Sequence, residues 1–466
     1  MSVPFRTLPL VLAVSALLSA GTASAADSLT FEAARARFHE RADIFRADAA
    51  EVERARQVSE SAKSLSGPKV DITAMQVEGR KDLDLNLDIP ASVQQLGSAL
   101  TGGKYPIPSS MRFSDELDLS GPRAMISATW PLYTGGAITA QQNLLEHKVR
   151  EASAAQSARL EEKDADLAMR YWGVQLARSV EELRRERLKD EEEQVHRAMR
   201  FEKKGLISRI ERMSVEVSRD AARRELVSAG TSARVAEAEL MSALREKELP
   251  ALATPLFILT GDLGTLSEWQ SRARINSPVL SRIDAQVSQA GEGVRVAESA
   301  FHPQVFAFGM KNLVKHYLTP VEPDWMVGLG IKFTLWDNRD RFSSLAASHA
   351  QEEKARAAKA EADNALASAV ETAFLRTTQA REEYLLTAST VALAKENLRL
   401  REASFAEGLS TALDVREART QMTGAQIAER AAAYKFVVSW AMLHGAAGVM
   451  PDFVATLSRP DLKRVE

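Results

Sequence analysis

The chain is 466 residues long, 45% hydrophobic but only 6% aromatic, with 26% charged residues, a formal net charge of -3 and no cysteine. Few aromatics beside many charges argue for long exposed helices rather than a bulky globular core. The near-neutral balance holds no basic stripe for nucleic acid, and the missing cysteine excludes disulfides, thiolate metal sites, cysteine nucleophiles and a lipidated N-terminal cysteine.

Residues 1–25 read as a secretory signal peptide: Arg6 supplies the positive start, Leu8 to Ala20 a short apolar stretch, and Ala23-Ser24-Ala25 a small-x-small cleavage pattern. No later stretch is apolar for long enough to be a spanning helix. Any membrane passage must therefore be made by strands, and strands survive in lipid only when closed into a barrel.

The first half, 26–265, is expected to hold a helix, two strands and a long helix pair. Val70, Ile72 and Ala74 alternate with Asp71 and Thr73, and Ala124, Ile126, Ala128, Trp130 and Leu132 alternate with Ser127 and Thr129. Between them, residues 80–121 are rich in Gly, Pro and Ser and read as an extended extracellular loop. Asp82, Asp84, Asn86 and Asp88 imitate a calcium loop, but Leu87 stands where Gly is needed and Val93 where Glu is needed, and alternation with Leu83, Leu85 and Leu87 suits a strand better. No proline occurs between Pro131 and Pro250, and residues 137–203 are dense in Ala, Glu, Arg, Gln and Leu. That composition predicts an unbroken helix of roughly 100 Å at about 1.5 Å per residue. Gly205 then marks a turn before a second helix to about Arg245.

The second half, 266–445, repeats the order. Phe306, Phe308 and Met310 alternate with Ala307, Gly309 and Lys311, and from Trp325 to Trp336 apolar residues alternate with Gly, Lys and Thr. The next proline-free block, Pro323 to Pro451, predicts a helix over 343–405, a turn at Gly408 and a helix to about 443. Residues 446–466 are left as a C-terminal tail. The interval from Tyr133 to Trp336 equals that from Gly205 to Gly408, which argues for an internal repeat. The alternating segments have bilayer-crossing length but also suit half-buried strands of a soluble sheet. If they span lipid, four strands cannot close, so copies must share a barrel; three copies supply an even, closable twelve.

The run Pro131-Leu-Tyr-Thr-Gly-Gly136 and the turn Phe405-Ala-Glu-Gly-Leu-Ser-Thr-Ala-Leu-Asp414, in this order and spacing, resemble the TolC-type outer membrane factors over about residues 28–445. The second-half copy of the first motif, Leu335 to Arg339, lacks the glycine pair, and Glu211 stands where the first-half turn usually has Asp. The resemblance implies a mainly α fold with a small β part. Long antiparallel coiled-coil helices would form an α-helical barrel, and four strands per subunit a trimeric twelve-stranded transmembrane β-barrel. It implies a homotrimer in outer-membrane lipid, with a periplasmic adaptor protein and an inner-membrane transporter as partners.

A conduit of this kind carries out no bond chemistry and needs no cofactor or metal; the seven histidines are scattered, without paired ligand spacing. Gly205, Leu206, Ser208, Gly408, Leu409 and Thr411 at the two turns are the candidates for adaptor docking. Asp414 and Glu417 lie three apart on one helix face and match the family's acidic constriction, with Glu211 as the first-half counterpart. Threefold rings of carboxylate would select for cations; a solvated face pairing with Arg416 or Arg419 is the alternative. The family's closed gate has a basic residue just after the second turn glycine, absent here, and Arg209 is the first-half residue available in its place. The expected function is export of small molecules by a tripartite system. Type I protein secretion or metal-ion efflux is the alternative within transport, and a soluble periplasmic coiled-coil scaffold the alternative outside it.

Overall fold

The computed structural model describes residues 28–118, 120–318, 322–336, 338, 340–407 and 409–465. The signal-peptide segment, Gly408, Asp337 and Arg339 lie outside the described residues. In chain order the elements are α1 (Phe31–Arg41), α2 (Asp43–Lys63), β1 (Lys69–Val77), β2 (Arg80–Asp88), α3 (Ala91–Leu100), β3 (Ser110–Asp118), β4 (Gly121–Tyr133), α4 (Ala137–Lys203) and α5 (Arg209–Leu244). There follow β5 (Leu256–Leu259), α6 (Leu266–Asn276), α7 (Pro278–Ser299), β6 (Gln304–Asn312), β7 (Trp325–Lys332), α8 (Arg341–Ala406), α9 (Ala412–Ala447), α10 (Met450–Thr456) and β8 (Leu462–Val465).

The helices match in pairs across the halves. α4 has 67 residues and α8 has 66, α5 and α9 have 36 each, and α1 and α6 have 11 each. Their ends are set by local chemistry. Ser208, Thr265 and Thr411 each build a capping box with the acidic residue three positions on, and Asp340 caps α8 through its carboxylate. Gly136, at φ 87, takes the left-handed conformation that hands β4 over to α4. Among the described residues no helix is long and apolar enough to cross a membrane.

The main sheet has four antiparallel strands in the order β1-β4-β6-β7, leaving β1 and β7 as edges. The alternation expected to reach Trp336 stops at Lys332, paired with Gln304. Pro303 precedes Gln304 and has no N–H to donate, so this ladder has nothing further to pair with. Leu132 falls in a register shift between Pro131 and Tyr133 and so leaves the alternation. Residues 80–118 form a hairpin of β2 and β3 with α3 at its end, rather than an extended loop.

The buried core gathers where α1, α4, α9 and α10 meet a small β5–β8 sheet. Trp172 is its centre, its ring 4.5 Å from that of Phe31 and 5.6 Å from that of Phe453, and its Nε1 donates to the Pro255 carbonyl at 3.0 Å. Residues beyond 446 are thus not a loose tail: Met450 and Phe453 are fully buried, and β8 pairs with β5. α1 is tied to α4 by the buried Asp164, which accepts from Arg35 Nε at 2.6 Å and lies 2.5 Å from His39 Nε2.

Candidate functional site

Two regions could carry function: the distal turns of the helix pairs and the two faces of the sheet. At the first turn Gly205 has φ 73, its N–H donates to Glu202 at 2.8 Å, and the Leu206 N–H donates to Phe201 at 2.9 Å. This pair of bonds ends a helix in a left-handed residue and satisfies its last carbonyls. The second turn repeats the longer bond: the Leu409 N–H donates to Ser404 at 2.8 Å. Ser208 and Thr411 then cap the outgoing helices. Leu206 and Leu409 project into solvent, and so do Ile210 and Leu413 one helical turn on, which the motif reading passed over. Their signal was an apolar residue four positions after each exposed leucine.

Glu211 and Asp414 occupy equivalent places, each the third residue of its helix. The Glu211 carboxylate accepts the Ser208 N–H at 2.6 Å. The Asp414 carboxylate accepts the Thr411 hydroxyl at 2.7 Å, the Thr411 N–H at 2.8 Å and the Ser410 hydroxyl at 3.1 Å. The Thr411 side-chain bond, then the Thr411 backbone bond, hold the Asp414 carboxyl below its usual range; the Ser208 bonds do the same for Glu211. Both therefore stay ionised, and both are already explained as caps. Glu417 is exposed, and among the described residues it makes no ion pair. Neither Arg416 nor Arg419 pairs with these carboxylates. Arg416 donates to Ser218 of α5 at 2.9 Å, and Arg419 bridges Glu402 of α8 and Asp190 of α4. Beside them Glu191 is buried; burial pushes its carboxyl up against the opposing pull of Arg187, Arg416 and Arg419. This cross-helix network was invisible in sequence because its members lie on different elements. Arg209 is exposed, and among the described residues it makes no ion pair.

The sheet has two unlike faces. Strand register sets Val70, Ile72 and Ala74 beside Ala128, Ile126 and Ala124, then Gly309 and Ala307, then Val327, Leu329 and Ile331; among the described residues Lys311 is the one charged residue on this face, between Ile126 and Trp325. The opposite face carries Lys69, Asp71, Thr73, Ser127, Thr129, Gln304 and Lys332, with Met75, Met125, Met310 and Met326 among them. Phe306 and Phe308 belong to this second, polar face, where they lie over Gly330 and Gly328. A Cβ at Gly330 would stand 2.5 Å from Phe306 Cζ, so the glycines are the space that the rings fill. Among the described residues no group of three His, Asp or Glu side chains could hold a metal ion.

A one-sided apolar sheet with two open edges, joined to four very long helices, has counterparts among known proteins. The family model described as outer membrane efflux protein matches residues 34–244 and 269–449. Among solved structures, the open-state MtrE outer membrane channel of Neisseria gonorrhoeae is 18% identical with a TM-score of 0.70, over 90% of this chain and 89% of that one. The outer membrane protein VceC of Vibrio cholerae is 13% identical with a TM-score of 0.70, over 90% of this chain and 96% of that one. The Campylobacter jejuni CmeC outer membrane channel is 12% identical with a TM-score of 0.71, over 92% and 89%. A search of the curated proteins returned no match. With the family model covering most of both halves of the chain, this protein belongs to the outer membrane efflux protein family and is a channel subunit rather than an enzyme.

Proposed function

We propose that three copies assemble into one duct that carries small molecules from an inner-membrane transporter, through a periplasmic adaptor, across the outer membrane. The observation that carries this reading is the sheet. Its apolar face suits lipid, its polar face suits a water-filled lumen, and its edges β1 and β7 lack partners within the chain among the described residues. An open edge cannot persist in hydrocarbon, so neighbouring copies must supply the missing ladders, and three copies of four strands close at twelve. The two halves of the chain then act as structural repeats around the wall.

In this arrangement the long helices line the periplasmic section, and the turns at Gly205, Leu206, Ser208, Gly408, Leu409 and Thr411 form the adaptor-docking tip. Asp414, Glu417 and Glu211 form acidic rings at the narrow end. The two capping carboxylates are held in fixed positions by hydrogen bonds, which suits a ring of constant charge.

The test is assembly and conduction of the purified protein. A detergent-extracted trimer that runs differently when boiled, and gives discrete single-channel steps in a planar bilayer, is expected. A monomer soluble without detergent that gives no conductance would overturn the duct.

A further inference from the structure

The hairpin at residues 80–118 continues the membrane ladder. β1 pairs with β4 from Lys69↔Thr129 to Val77↔Gly121, and β2 pairs with β3 from Arg80↔Asp118 to Asp88↔Ser110. Two positions separate the ladders on each side, 78–79 and 119–120, so paired residues keep the same offset in both ladders. Directly opposed residues in an antiparallel pair share a face, and faces alternate strictly along each strand. Each face can therefore be followed from one ladder into the other.

Polarity inverts at the junction. The face that carries Val70, Ile72, Ala74, Ile126 and Ala128 on β1 and β4 carries Asp82, Asp84, Asn86, Asp88, Arg112 and Glu116 on β2 and β3. The face that carries Asp71, Thr73, Ser127 and Thr129 below, and Met75, Val77, Met125 and Arg123 toward the junction, carries Leu85, Leu87, Met111 and Phe113 above. These four are 49%, 60%, 54% and 60% exposed, so nothing among the described residues covers them. A lone two-stranded hairpin is marginal in water, and an open apolar face makes it more so.

Resting on the trimeric duct proposed above, this inversion has one consistent outcome. The apolar outer face turns acidic where the wall leaves hydrocarbon for water. The inner face turns apolar where three walls converge on one axis. The hairpin rises from β1, the edge that must join a neighbouring copy, so each hairpin stands beside a seam between copies. Its nine-residue strands reach roughly 30 Å at about 3.3 Å per residue. A twelve-stranded barrel with strands about 4.8 Å apart and tilted about 40° is roughly 24 Å across, so that reach exceeds its radius. We propose that the Leu85, Leu87, Met111 and Phe113 faces of three copies pack on one another above the barrel and form an apolar cap that narrows the extracellular exit. The reverse orientation would turn Asp82, Asp84 and Asp88 of all three copies toward one axis, where like charges repel and where Arg112 and the Arg80–Glu116 pair on the same face offset only part of the excess.

The chain has no cysteine, so single cysteines report position cleanly. Leu87→Cys and Met111→Cys should give covalent dimers on mild oxidation of the assembled protein, whereas Asp84→Cys on the opposite face should not. Separately, Leu85→Asp with Phe113→Asp should sharply reduce the cross-linking of Leu87→Cys placed in the same chain while the trimer persists. The cap is overturned if Asp84→Cys cross-links while Leu87→Cys and Met111→Cys stay silent, or if none of the three cross-links in a protein that is trimeric by mass. Undiminished cross-linking in that double-variant background would also overturn it. A native mass other than a trimer for the unmodified protein would instead remove the duct, so the two failures are distinguishable.

Discussion

The knot around Trp172 and the distal helices solve the same problem in opposite ways. In the knot, the second half of α9 buries Phe436, Val437, Trp440 and Leu443 against Phe31, Phe257 and Phe453. In α8, by contrast, only Val370, Thr377, Ala380 and Tyr384 are buried along 66 residues, and Leu386, Leu393 and Leu400 stay exposed. A subunit thus carries its own core in one compact place, while its longest helices present surfaces that a single chain leaves uncovered. The difference teaches where folding and assembly part company. The knot can hold one chain together, and in the trimer proposed above neighbouring copies complete the helical wall.

The largest expected effect breaks the knot. Trp172→Ala removes a fully buried ring and the bond to Pro255, and should cost about 3–5 kcal/mol. Little folded subunit should then accumulate, which the yield of assembled protein in membranes measures. Leu176→Pro acts on the same helix at the rim of the knot, against which Leu176 packs, and costs about 3 kcal/mol from the lost backbone bond and the ring clash. Normal trimer yield with normal export from this variant would argue against a continuous helical wall.

At the tip, Asp414→Asn keeps an oxygen that can accept the Thr411 N–H while removing the charge. Combined with Glu417→Gln it should weaken cation over anion selectivity in bilayers with little loss of stability. Unchanged reversal potentials would sink the acidic ring and leave Asp414 as a cap alone.

The smallest effect concerns pH. Burial is the main cause that raises the Glu161 carboxyl to about 7, partly opposed by the Met450 N–H that it accepts at 2.9 Å. A carboxyl raised in the folded state favours folding at low pH, and that contribution fades as pH climbs from about 4.5 through 7. Glu161→Gln keeps an acceptor for Met450 but does not titrate. Its melting temperature should fall less than that of the parent between pH 5 and pH 8; parallel curves would refute the assignment.

Much of this molecule was determined by local sequence. Absence of proline and abundance of Ala, Glu, Arg and Leu predicted α4 over 137–203, and those are the residues it spans. Period-two alternation located all four strands of the main sheet, because side-chain direction in a strand depends only on position parity. The turn glycines were legible for the same reason, since a turn acts within a few positions; the capping pairs Ser208–Glu211 and Thr411–Asp414 are just as local, but were read as docking and constriction residues instead. Tertiary structure alone decided the rest. It put Phe306 and Phe308 on the polar face, drew Met450 and Phe453 into the knot, and joined Arg419 to Glu402 and Asp190. It also made the segment read as a loop into a hairpin with one charged and one apolar face. Such features depend on which strand pairs with which and which helices meet, and no local pattern encodes a partner distant in the chain.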